Sequence, residues 1–165
     1  MKNTRSRLST GKRFLFAGLT AFALIAFTAC EKDDDNDPGD MSRFKLSGSA
    51  SGDQEVPAVS TSANGSLNGS YDSISNRLIY TIEWDGLSGE ASMAHFHGPA
   101  LAGENADVML PLTIVDMGAS GRATDTVEVN DAFEDALLEG KVYYNIHTLA
   151  NPAGEIRGQV NTTRN

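Results

Sequence analysis

The chain has 165 residues, about one domain by length, and its 13 basic against 22 acidic residues give a net charge of −9. That balance argues against nucleic acid or an anionic lipid surface as a partner. A single cysteine, Cys30, excludes an intramolecular disulfide.

The chain opens with five basic residues (Lys2, Arg5, Arg7, Lys12 and Arg13) and no acid. Residues 14–29 then run without a charge and end on Thr28 and Ala29, directly before Cys30. A basic start, an apolar run and small residues at its end predict a secretory signal over residues 1–29. At 16 residues the run is shorter than the ~20 that a membrane-spanning helix needs. The junction resembles the lipobox of bacterial lipoproteins, with Phe27 where Leu is usual. That resemblance implies that Cys30 is acylated and becomes the first mature residue, so that lipid holds the protein to the membrane. Without the five basic residues, eight remain against 22 acidic ones, a net charge of −14.

Residues 31–41 combine a run of acids with Pro38 and Gly39 and have little to bury. This composition predicts a disordered tether, which with the lipidated Cys30 occupies residues 30–42. An acidic run in this place also resembles a surface-export signal of bacterial lipoproteins; the alternative is a plain solvated linker. The expected location is the cell envelope, at the outer membrane and facing outward from the cell.

From Arg43 the pattern changes to period two, beginning with Phe44, Leu46 and Gly48 against Lys45, Ser47 and Ser49. Further strands are predicted over residues 65–71, 78–84, 92–97, 108–112, 122–129, 142–148 and 155–160. Trp84 alternates with Ile82 and Tyr80 and is expected in the core. About eight short strands broken by Gly, Asn, Asp and Pro predict an all-β domain, a β-sandwich or barrel, over residues 43–162. One short helix interrupts them. Asn130 or Asp131 can cap it, Glu134 sits where a capping-box acid would, and Gly140 closes it. Phe133, Leu137 and Leu138 form its apolar stripe.

All three histidines fall in two of these strands, His95 and His97 in one and His147 in the other. Residues two apart on a strand share a face, so His95 and His97 project together, opposite Ala94 and Phe96. In the later strand Val142, Tyr144 and Ile146 form the core face, which leaves Tyr143, Asn145 and His147 facing outward. A symmetric final hairpin sets His147 opposite Glu155 and Asn145 opposite Arg157. Three imidazoles, with a carboxylate able to orient one of them, suit a single copper or zinc ion better than calcium or magnesium. In that arrangement Asn145, Glu155 and Arg157 surround the ligands. The alternative is structural: each imidazole bonds to backbone or carboxylate and braces the loop after His97 against the hairpin after His147. No nucleophile elbow or phosphate loop is present, and no catalytic residue is assigned.

Three segments carry a family resemblance: Asp53-Gln54-Glu55-Val56-Pro57, Ala94-His95-Phe96-His97-Gly98-Pro99-Ala100, and Tyr144-Asn145-Ile146-His147-Thr148 followed by residues 151–159. In order and spacing these resemble the CHRD domain over about residues 43–161. The domain is named for chordin, an extracellular binder of growth factors, and is common in exported bacterial proteins. The resemblance implies an immunoglobulin-like β-barrel and no particular substrate. At the level of fold, a His-x-His strand on a small barrel is also similar to copper/zinc superoxide dismutase. That enzyme's copper has four histidine ligands. This chain has three histidines and no disulfide, so dismutase activity is not expected. Two functions follow. One is a lipid-anchored binding module that recognises a protein or glycan, its histidines acting as braces. The other is a metalloprotein holding one copper or zinc ion on His95, His97 and His147. Catalysis is expected of neither.

Overall fold

A computed structural model describes residues 42–165. The expected signal segment, Cys30 and all of the acidic tether but Ser42 lie outside them. The described chain is all-β with one short helix, as the period-two patterning predicts. In order it forms β1 (Arg43–Ser51), β2 (Asn64–Asp72), β3 (Arg77–Asp85), β4 (Ala91–His97), β5 (Val108–Pro111), β6 (Ile114–Asp116), β7 (Gly121–Glu128), α1 (Asp131–Leu138), β8 (Tyr143–Thr148), β9 (Ile156–Gln159) and β10 (Asn161–Arg164). The strands make one antiparallel sheet in the order β5-β4-β8-β9-β1-β2-β3-β7-β6, with β10 also on β1. The two end strands of that order, β5 and β6, are neighbours in sequence, with Leu112 and Thr113 between them. Three Cα steps span at most about 11 Å. The opposite ends of the sheet therefore come together at this link, and the sheet curls into a half-barrel.

Strands β6 and β10 are additions to the predicted set. The first has three residues and the second is Asn161, Thr162, Thr163 and Arg164, so neither carries an alternation to read. Pairing makes them strands: β10 runs along β1 from Phe44↔Arg164 to Ser47↔Asn161, which extends the domain past residue 162. At α1 it is Asn130, not Asp131, that caps, its side chain accepting from Phe133 N at 2.9 Å. Glu134 then falls one position beyond that of a capping-box acid. The buried stripe is Phe133, Ala136 and Leu137, at i, i+3 and i+4; Leu138 lies off it and is exposed.

The core fixes which way the histidines point. Phe96 of β4 is buried and meets Tyr80 and Phe133 edge-on, with ring centroids 5.4 and 5.7 Å away. Burying an aromatic of this size contributes about 1.5–3 kcal/mol, so β4 cannot flip cheaply. Tyr144 and Ile146 anchor β8 in the same way, and Trp84 is buried as expected. Alternation then forces His95, His97, Asn145 and His147 onto the other face. That face is not the solvent-facing surface the sequence suggests, because every residue of β8 is buried. Residues 52–62 and 98–107 fold across it. Asn105 Nδ2 donates to Val56 O at 2.9 Å, joining the two segments, and Arg157 donates to Glu104 O at 2.7 Å, holding one of them down.

Candidate metal centre

The register of β4 and β8 brings the two histidine segments side by side, with Met93↔His147, His95↔Asn145 and His97↔Tyr143. On the other side of β8, Arg157 of β9 stands opposite Asn145, as the symmetric hairpin predicts. His95 and His147 are thus diagonal neighbours, and His95 Nδ1 lies 3.1 Å from His147 Nε2. The rings of His95 and His97 meet edge to face at 5.6 Å. One nitrogen from each of the three histidines lies within 4.8 Å of the other two.

Hydrogen bonding fixes where two of the three rings carry a proton. His147 Nδ1 is 3.0 Å from Pro152 O, and His97 Nδ1 is 3.0 Å from Ala106 O. A carbonyl only accepts, so both Nδ1 atoms carry protons. With its proton on Nδ1, neutral His147 has a bare lone pair on Nε2. The 3.1 Å contact is then a donation from His95 Nδ1–H. His97 Nε2 lies 3.1 Å from Asn145 Oδ1, which only accepts, so Nε2 would have to give up this contact and the proton it donates there before it held an ion. An imidazole whose Nδ1–H is held by a backbone carbonyl, with Nε2 turned to a common centre, has the orientation usual in metal ligands. Burial, and then His97, holds His95 below the ordinary histidine range. Burial lowers His147 as well, against the Pro152 carbonyl and with His95 and His97 adding to the fall. Both therefore stay neutral at pH 7, the form a metal requires.

The set fits a small transition-metal ion. Tetrahedral bonds of about 2.0–2.1 Å place ligand nitrogens roughly 3.3 Å apart. The 3.1 Å between His95 Nδ1 and His147 Nε2 is already close to that edge, and Nδ1 would become a ligand by passing its proton to Nε2 of the same ring. His97 would complete the set on giving up its contact with Asn145 Oδ1. Imidazole nitrogens favour copper or zinc, and among the described residues no carboxylate or thiol joins the cluster.

The flanking residues divide. Asn145 is buried and touches His97 directly. Arg157, also buried, lies 3.4 Å over the Tyr143 ring, which in turn stacks parallel to His97 at 4.9 Å. It reaches the site only through that ring. Glu155 does not orient an imidazole: its carboxylate accepts from Thr61, Ser88, Thr148 and Asn151. Just before β9 it points among loop donors, and the His147 Nδ1–H it could have taken is already held by Pro152 O.

Sequence reasoning missed four contributors. Ala106 O and Pro152 O are main-chain atoms, which no residue type advertises. Tyr143 acts through stacking. Glu55 is buried beside Asn145 and Arg157; burial pushes its carboxyl up to about 7 against the pulls of Arg157 and Asn145. Gly154 lets the hairpin approach this group. Its φ is +128°, and a Cβ there would lie 2.3 Å from Glu55 Oε1 and 2.7 Å from Asn145 Nδ2.

Comparison with known proteins yields one finding. A family model described as the CHRD domain matches residues 46–160. No curated protein and no solved structure matches the chain.

Proposed function

The chain belongs to the CHRD-domain family, and on that premise we propose that it is an exported, lipid-anchored module that binds one copper or zinc ion through His95, His97 and His147. The observation that carries the proposal is the convergence of three ring nitrogens, with two of the rings held at Nδ1 by backbone carbonyls. Bracing is part of the same arrangement. His97 ties down residue 106, and His147 ties down the hairpin at residue 152. Bracing explains the two carbonyl contacts but gives no reason for three imidazoles to share one centre. The carbonyls that brace the loops hold each Nδ1, so an ion would compete for Nε2 only with a side chain, Asn145 at His97 and His95 at His147. Storage or delivery of the ion needs only reversible binding, and no reaction is assigned.

The test is metal uptake from copper or zinc solution followed by removal of excess. The wild type is expected to retain about one ion per chain, and the His95→Ala/His147→Ala double variant none. Equal uptake by the two proteins would rule the site out. The anchor has its own test. Cys30→Ser is expected to move the protein from the membrane fraction to the soluble fraction. Unchanged membrane association would remove the lipid from the account.

A further inference from the structure

Three histidines would leave one position of a tetrahedral ion open, and the strand register sets a fourth side chain beside two of them. Met93 lies on the same face of β4 as His95 and His97, two residues before His95. It is also directly opposite His147 across the β4–β8 ladder. Opposed residues of an antiparallel pair have Cβ atoms about 4.5–5.5 Å apart. Met93 therefore flanks the two histidines whose nitrogens already approach to 3.1 Å. It is 49% exposed, so its three-bond side chain is free to swing, unlike the buried residues that surround His97. The cluster includes no carboxylate or thiol among the described residues that would supply the fourth ligand instead.

We propose that the Met93 thioether is the fourth ligand and makes this a site for copper(I) in preference to zinc(II). A thioether is a soft, uncharged donor that stabilises copper(I) and adds little to zinc(II), for which imidazole alone suffices. The inference rests on the three-histidine reading, because Met93 by itself holds no ion. Met93 is half exposed and His95 only partly buried, so this side of the cluster is the one nearest solvent.

The experiment titrates copper(I) against a chromophoric copper(I) chelator, and zinc(II) in parallel, into wild type and Met93→Leu. Both chains carry Cys30→Ser to remove the single thiol. Leucine keeps the size and apolar character of an exposed position, and equal melting temperatures of the two metal-free proteins will confirm that folding is unaffected. The expected result is a loss of copper(I) affinity of at least about tenfold in Met93→Leu, with zinc(II) affinity essentially unchanged. Unchanged copper(I) affinity beside retained one-ion binding would overturn the role of Met93 and leave the three-histidine site standing. An equal loss for both metals would overturn the selectivity. Wild type that binds neither ion would overturn this inference together with the reading beneath it.

Discussion

Replacing Glu155 by alanine is expected to destabilise the domain by about 3–5 kcal/mol, the largest single effect predicted for any residue near the site. The side chain is fully buried, and no cation offsets its charge through any of its hydrogen bonds. Five donors do so instead. Oε1 accepts from Thr61 Oγ1 at 3.0 Å and Ser88 N at 2.8 Å; Oε2 accepts from Ser88 Oγ, Thr148 Oγ1 at 2.7 Å and Asn151 Nδ2 at 3.1 Å. These donors come from three separate stretches of chain, so the carboxylate knots the loops at the His147 end of the half-barrel. Alanine leaves the donors unpaired around a void, and the melting temperature should fall by about 10 °C or more.

The same knot sets an acid dependence. Burial alone would raise the Glu155 carboxyl, but the bonds from Ser88, Thr148 and Thr61 outweigh it and hold it at about 2. The unfolded value is about 4.5. The unfolded chain therefore binds the proton first, and stability contributed by Glu155 is complete above pH 4.5 and lost as pH falls toward 2. The difference is worth about 3 kcal/mol, in line with the mutational figure. Urea unfolding between pH 2.5 and 6 should show a steeper loss in wild type than in Glu155→Gln. Other carboxylates titrate in this range, so the difference between the proteins is the quantity to read. Parallel curves would mean that the carboxylate is not held as described.

The second large effect is the dependence of stability on metal. An ion that binds only the folded chain, at a free concentration a thousand times its dissociation constant, adds about 4 kcal/mol. For a domain of this size that is a rise of about 10 °C in melting temperature. In His97→Ala the rise is expected to vanish. The metal-free variant should also melt lower than wild type. It loses the bonds to Ala106 O and Asn145 Oδ1 and the stack on Tyr143, together about 1–3 kcal/mol. Thermal scans of both proteins with and without zinc separate the two roles. Bracing alone lowers the curve by the same amount whether zinc is present or not. Ligation makes the drop larger when zinc is present.

Much of this geometry follows from period two. The alternation at Ala94 and Phe96 against His95 and His97 places both histidines on one face, and the short final hairpin sets Asn145 opposite Arg157. Neither depends on distant parts of the chain. What covers that face does depend on them. Residues 52–62 and 98–107 show no alternation, and their path is set by main-chain contacts such as Val56 O with Asn105 and Ala106 O with His97. The burial of Asn145, His147 and Arg157 was therefore hidden. Glu155 is instructive for the same reason. Its place in the β8–β9 hairpin is readable, but the hydroxyls that claim it arrive from Thr61 and Ser88, far off in sequence. The three histidines were legible as a set, while the carbonyls that orient them were not.

Whether one ion sits among the three imidazoles is read by X-ray absorption at the zinc edge of the loaded full chain. The expected first shell contains three imidazole nitrogens at about 2.0 Å, with the outer-shell scattering of their rings. A first shell of oxygens alone would place the ion on the acidic surface and contradict the site.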